Sequence, residues 1–287
     1  MLQRYCLFWL LFVSLFDTVL LAQAISFDSL QSILNQPSIS DSLRSNTLRK
    51  VSNYYAQKQQ DSAQIYGLEA LRVAKGSGIQ QLIALANVNL GLVNIVAGKS
   101  RDAIGYYSDG LTIYEALRDT FWMGRTRMAL MQCYGDLNKI DTALIHFSIA
   151  KSLIKPNNHA SNYSLVTQMG IINARQENYS VAKKYFLTAY QLAQKLDNDD
   201  SKGNAAMNLG LLYTHLTELD SSHIYLLKAL KHFEALNSPD QIGMATGNLA
   251  DYYMMVDSFS KAIYYSKKAE KIFDQINIPV RKIAIYQ

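Results

Sequence analysis

Small residues recur along this chain at a nearly fixed interval. Ala63, Ala103, Ala143, Ala182, Ser222 and Ala262 are separated by 40, 40, 39, 40 and 40 residues. Seven residues after each stands a second small residue: Ala70, Gly110, Ala150, Ala189, Ala229 and Ala269. Twelve residues before the first set come Val51, Gly91, Met131, Gly170, Gly210 and Ala250, and three further on come Tyr54, Asn94, Tyr134, Asn173, Tyr213 and Tyr253. Six copies in this register mean stacked supersecondary units, each too small to bury its apolar face alone.

Each unit reads as two helices. Leu82, Leu85, Ala86, Asn89, Leu90 and Val93 follow helical spacing. Gly98-Lys99-Ser100 then interrupts the pattern, with Ser100 as the expected cap of a second helix through Ala103, Tyr107, Gly110 and Tyr114. Gly76-Ser77-Gly78, Pro156, Pro239 and Pro279 mark joints between units. With only 14 Gly and 4 Pro in 287 residues, long helices are favoured over a many-stranded fold. Small residues belong where helix axes pack about 8–10 Å apart. The first small residue of the second helix is expected to face its own first helix. The second is expected to face the first helix of the next unit, with Tyr107, Phe147 and Phe186 filling the space between.

At these residues the chain resembles the tetratricopeptide-repeat family. Leu90-Gly91, Met169-Gly170 and Leu209-Gly210 match its Leu-Gly step. Tyr134, Tyr213 and Tyr253 match the following aromatic. Ala143-Phe147-Ala150 and Ala182-Phe186-Ala189 match its second helix. The period departs from the usual 34 residues, and the first copy has Lys50-Val51 in place of Leu-Gly, as a terminal capping copy would. The resemblance implies an all-α fold, a right-handed α-solenoid of about six hairpins at 43–79, 80–119, 120–158, 159–199, 200–239 and 240–277. A lead-in at 25–42 precedes them. Pro279 to Gln287 matches Pro239 to Gly247 and reads as the opening of a seventh repeat. It ends on Ile283, Ala284, Ile285 and Tyr286 rather than a polar cap, so either a truncated product or a partner covering that end is expected.

The segment 1–24 reads as a secretory signal peptide. Arg4 is followed by the apolar stretch Tyr5 to Leu21 and by Ala22-Gln23-Ala24, a small-x-small cleavage pattern. The alternative, an uncleaved membrane anchor, must carry Asp17 in mid-bilayer at about 3 kcal/mol. Cys6 lies too early for lipoprotein attachment. The expected location is therefore periplasmic, with anchoring by the N-terminus as the other reading. After cleavage Cys133 is the single cysteine, so no internal disulfide can form. The long-helix repeat behind a signal peptide resembles the exported sensor portion of bacterial regulators. In those, a membrane span and a histidine kinase or helix-turn-helix output domain follow. Gln60-Asp61-Ser62-Ala63 resembles the start of that group's first repeat.

Catalytic chemistry finds no foothold. No nucleophile elbow or phosphate loop occurs. His146, His159, His215, His223 and His232 show no metal-ligand spacing and read as surface or packing residues, and no cofactor or metal is expected. Asp197, Asp199 and Asp200 read as a loop that caps the next helix. Lys261, Lys267, Lys268 and Lys271 read as a solvated convex face, and the net charge of +5 is too modest to call for nucleic acid.

The concave face of the first helices is the candidate site, by resemblance. It would present Leu85, Val88, Asn89, Leu92 and Ile95 in the second copy and Arg125, Met128, Gln132 and Asp136 in the third. Ser164, Gln168, Ile171 and Arg175 follow in the fourth, Asn204, Asn208, Leu211 and His215 in the fifth, and Met244, Asn248, Asp251 and Met255 in the sixth. Asn89, Gln168, Asn208 and Asn248 occupy one register position, where the family's Asn contacts bound peptides. An amide offers both a donor and an acceptor, matching an extended peptide backbone. The expected function is an exported protein-interaction scaffold holding a peptide or protein segment. The alternative is the sensor half of a regulator whose output domain, and a membrane span, lie elsewhere.

Overall fold

The computed structural model describes residues 26–276. The proposed leader at 1–24 and the seventh-repeat segment 278–287 lie outside the described residues. Thirteen helices and no strand occur among the described residues. They form two compact units that divide between Lys155 and Pro156.

The N-terminal unit holds α1 (Phe27–Leu34), α2 (Asp41–Tyr55), α3 (Gln60–Ser77), α4 (Gln80–Val96), α5 (Ser100–Ala116), α6 (Thr120–Asp136) and α7 (Ile140–Leu153). The C-terminal unit holds α8 (His159–Arg175), α9 (Tyr179–Ala193), α10 (Asp199–His215), α11 (Leu219–Ala235), α12 (Pro239–Met255) and α13 (Phe259–Gln275). From α2 onward consecutive helices pair as hairpins. Within each unit the second helix of one hairpin packs on the first helix of the next, which makes each unit a short α-solenoid. The stretch expected as a lead-in contributes α1, packed on α2.

The helix ends follow the repeat. Ser40, Asp119, Asn158 and Asn198 cap first helices by accepting a backbone N–H. No side chain caps a second helix. Ser100 is therefore not the expected cap. It sits inside α5, and its hydroxyl donates to Asp136 at 3.2 Å. The acidic loop is likewise corrected. Asn198 caps α10, while Asp200 accepts from Gln241 and Asp199 pairs with His232 at 2.8 Å.

From α4 onward the first helices stop by one device. The backbone N–H of Lys99 reaches Asn94 O, Lys139 reaches Tyr134 O, Asn178 reaches Asn173 O, Glu218 reaches Tyr213 O and Ser258 reaches Tyr253 O, at 2.8–2.9 Å. This six-to-one bond needs a left-handed residue just before it. Gly98, Asn138, Glu177, Thr217 and Asp257 supply it, with φ between 53 and 71°. Only Gly98 takes that conformation without steric cost.

The Leu-Gly step works in two directions. Gly91, Gly170 and Gly210 face their own second helices, where an added Cβ would lie within 2.8 Å of Tyr107, Phe186 and Leu226. The preceding leucine turns the other way. Leu130, aligned with Leu90 and Leu209, packs among Ala103, Tyr107 and Leu111 of the previous hairpin, and Leu209 packs on Ala182 and Phe186. Thus one dipeptide ties a hairpin together and stacks it on its predecessor. The second small residue does not face the next unit as expected. A Cβ on Gly110 would meet Val88 and Ala84 O of its own first helix, and Ala70 O accepts from Ser45 of its own hairpin.

Candidate functional site

The candidate site is the face of each first helix that packing leaves open. On α10, Gly203 and Gly210 lie against Phe233 and Leu226 of α11, while Leu209 and Tyr213 pack towards α9. Asn204, Asn208, Leu211 and His215, spaced four, three and four residues apart, share the remaining face. Asn204 and Asn208 are half-buried, and neither side chain hydrogen-bonds within the described residues. His215 stacks on Tyr179 with ring centroids 5.7 Å apart, and burial pulls its pKa below the usual histidine range.

On α12, Met244, Asn248, Asp251 and Met255 share the corresponding face. Met244 and Asn248 are half-buried, and Asp251 and Met255 are exposed. The Asn248 amide donates to the Met207 sulfur at 3.1 Å. On α8 the stripe closes up. Ser164 and Arg175 are half-buried, Ile171 is buried, and Gln168 is 4% exposed with neither amide atom partnered.

The N-terminal unit treats the same positions differently. Asn89 is buried, and its Nδ2 donates to Ser52 Oγ at 3.0 Å. The Ser52 hydroxyl in turn donates to Ala63 O at 2.7 Å, so this amide is engaged in tying α4 to the first hairpin. Ile95 belongs to the core with Tyr107 and Leu130, Val88 packs against that core, and Met128 is buried. Ile95 and Met128 are therefore closed to a groove ligand, while Val88 is half-buried. Leu85, Leu92 and Gln132 remain half-buried, and Asp136 is exposed, accepting from Ser100. Arg125 is half-buried beside the rings of Phe121 and Trp122, 5.8 Å from each centroid. Burial lowers its proton affinity. The four amides therefore do not form one uniform ladder. Asn89 and Gln168 are buried, while Asn208 and Asn248 can be reached.

The histidines sit mainly in packing roles. His146 stacks on Tyr134, and His223 stacks on Tyr252 and bonds the Tyr253 hydroxyl at 2.9 Å. Cys133 is fully buried. Lys268 reaches Glu234 at 3.3 Å and Lys261 lies over the Tyr253 ring, leaving Lys267 and Lys271 exposed. Among the described residues no cluster of three or more His, Cys, Asp or Glu could hold a metal ion, and no helix is long and apolar enough to cross a membrane.

Sequence reasoning passed over Arg49 and read Tyr114 only as part of a second helix. Arg49 stands 40 residues before Asn89, at the amide position of the first copy, whose Leu-Gly step is missing. Stepping back one period from Asn89 was the signal that could have found it. Tyr114 belongs to a second helix and is fully buried, so its spacing marks it only as core.

The family pattern of the tetratricopeptide repeat matches residues 162–235, which span the hairpins α8/α9 and α10/α11. These two hairpins are tetratricopeptide repeats. No curated protein matches the chain in sequence. Its tetratricopeptide-repeat fold is similar to that of BtubC from P. vanneervenii, with 18% identity and a TM-score of 0.62 over 84% of this chain and 93% of that one. A signal-transduction ATPase with numerous domains from Pyrococcus horikoshii, which has a tetratricopeptide-repeat sensor, is also similar. There the identity is 18% and the TM-score 0.66, over 90% of this chain and 41% of that one. A Rap protein solved in complex with competence and sporulation factor gives a TM-score of 0.66 at 12% identity, over 87% of this chain and 80% of that one. At these identities the likeness is one of fold.

Proposed function

We propose that this protein is an interaction scaffold that holds a peptide or protein segment against the open face of its first helices and performs no chemistry of its own. The observation that carries this reading is the pair Asn204 and Asn208 on α10. Both are half-exposed amides without a hydrogen-bond partner among the described residues, and Asn248 lies on the same face of α12. Each presents a donor and an acceptor to a main chain lying across the helices. The Rap protein of similar fold, solved with a bound factor, supports the reading.

The test is a pull-down from periplasmic extract, followed by affinity measurement on the recovered partner. Each lost hydrogen bond costs about 1 kcal/mol, so Asn208→Ala with Asn248→Ala should weaken binding about tenfold or more and leave helicity unchanged. Recovery of the same partners at the same affinity would remove the amides from any role in binding.

A second reading makes the chain the sensor portion of a regulator. It is favoured by the ATPase whose tetratricopeptide-repeat sensor is similar, since this chain spans 41% of that protein. Detection of the native protein at a mass well above 32.3 kDa, with an output domain attached, would support this over the free scaffold. In either reading we propose export, with cleavage after Ala24. Intact mass of periplasmic protein should show a start at Ile25, and recovery of uncleaved protein in membranes would favour the anchor instead.

A further inference from the structure

The C-terminal unit sorts its charge by layer. Its first helices α8, α10 and α12 carry Asp199, Asp200, Asp240 and Asp251 against Arg175 and Lys202. Its second helices α9, α11 and α13 carry eight lysines and no arginine, against the four acids Asp220, Glu234, Glu270 and Asp274. In the N-terminal unit the second helices have the opposite balance, six acids against four bases. Solvation of an outer face is served by charge of either sign, so it does not account for this difference.

The second helices of this unit adjoin one another. Tyr190 of α9 meets Tyr225 of α11 with ring centroids 5.2 Å apart, and Lys268 of α13 reaches Glu234 of α11 at 3.3 Å. Ala182, Ser222 and Ala262 are buried, so the opposite side of each helix faces outward. On α11 that side presents Ile224, Leu227 and Lys231, and 40 residues later α13 presents Tyr264, Lys267 and Lys271, with Ile263 beside them. Ile224 is 51% exposed, Ile263 56% and Tyr264 63%. Lys184, Lys231, Lys267 and Lys271 are exposed, and their side chains make no hydrogen bond or ion pair among the described residues. Large apolar groups thus stand in water among unanswered positive charges.

An apolar patch rimmed by charge marks a surface that meets something else. Two features of this one select the partner. Protein interfaces favour arginine, whose fork grips a carboxylate, and are poor in lysine. This layer has lysine alone, a hydrated point charge suited to a diffuse negative surface. The lysine stem can also lie along an apolar boundary while its ammonium stays in the polar layer, and tyrosine rings settle at that same boundary. We propose that the second helices of the C-terminal unit dock on the headgroup surface of an anionic lipid bilayer. Ile224, Ile263 and Tyr264 enter the interfacial layer, and Lys231, Lys267 and Lys271 meet the lipid phosphates. Glu234, the acid nearest this contact on α11, is already answered by Lys268. Asn204, Asn208 and Asn248 belong to the first helices, so docking leaves them open to a bound segment.

The experiment reads α13 itself, because the apolar stretch Tyr5 to Leu21 would partition into any bilayer. The full chain with Cys6→Ser and Ser260→Cys carries an environment-sensitive fluorophore at position 260, one turn before Tyr264. Cys133 is fully buried and stays unlabelled in the folded protein. A matched protein carries the label at Ser108→Cys, exposed on the second helix α5 of the other unit. Each is added to vesicles of phosphatidylcholine with increasing phosphatidylglycerol. The label at 260 should shift to the blue as phosphatidylglycerol rises, become quenched by brominated lipid, and revert on adding salt. The label at 108 should not respond. Lys267→Gln with Lys271→Gln should weaken docking about tenfold or more, since each lysine lost costs about fivefold. Tyr264→Ser should reduce the quenching. All these side chains are exposed, so helicity should stay unchanged.

Emission at 260 that ignores phosphatidylglycerol overturns the proposal, as does equal docking by the Lys267→Gln/Lys271→Gln variant. An equal response from positions 108 and 260 also overturns it, because the leader would then be pressing the whole chain onto the bilayer. So does soluble polyglutamate shifting the label at 260 as far as the vesicles do, which would mark a face for acidic proteins.

Discussion

Replacing Gly210 by alanine tests the packing that holds the open face of α10 in place. An alanine Cβ there would lie 2.8 Å from Cδ2 and Cγ of Leu226 and 3.1 Å from the Leu226 backbone nitrogen. Ordinary contact begins at 3.4 Å. A new rotamer of Leu226 could relieve only the side-chain clash, and that residue is fully buried with little room to turn. The backbone contact requires α10 and α11 to separate. Overpacking of this kind costs about 1–3 kcal/mol. Against it, alanine gains about 1 kcal/mol over glycine inside a helix. The net expectation is a loss of up to about 2 kcal/mol. Gly105→Ala is the matched control. Gly105 lies exposed in α5 with nothing within 4 Å of an added Cβ, so only the propensity gain of about 1 kcal/mol applies. Urea unfolding followed by circular dichroism should therefore move the two midpoints in opposite directions. Stacked repeats couple mainly to their neighbours, so hydrogen exchange should show the Gly210→Ala loss centred on α10 and α11. A Gly210→Ala midpoint at or above wild type, with Gly105→Ala behaving as expected, would refute the close-approach reasoning.

Two further outcomes follow from buried titratable groups. Cys133 is fully buried, and burial together with Asp136 pushes its pKa up to about 12. Protein lacking the leader, and so lacking Cys6, should resist thiol alkylation at pH 8 when folded and label once per chain in urea; rapid labelling of the native protein would contradict the core placement. Burial, aided by Arg127, pulls the His146 pKa below its ordinary 6.5, and burial does the same at His215. The unfolded chain then binds more protons below about pH 6.5, so stability falls as pH drops through that value and levels off below the depressed folded pKa values. Substituting both by Gln should flatten urea midpoints measured between pH 7.5 and 5.5, and an unchanged slope would show that these rings titrate normally.

The sequence by itself determined the repeat, the two-helix unit and the six-copy register. Small and large residues must alternate at fixed intervals wherever identical hairpins stack, and a periodic constraint leaves a periodic trace. It also put Asn208 and Asn248 at one register position, and the resemblance to the repeat family singled that position out as ligand-facing. The tertiary structure decided which neighbour each residue meets. Spacing placed Gly110 at a close approach, but only the rotation of α5 shows that the approach is to its own first helix. Asn89 and Asn208 hold the same register position, yet Asn89 is buried against Ser52 because the first hairpin offers a hydroxyl there. Arg49 breaks the amide pattern at that register position. A pairing between different copies depends on how far side chains reach across the stack, and no repeat period records that distance.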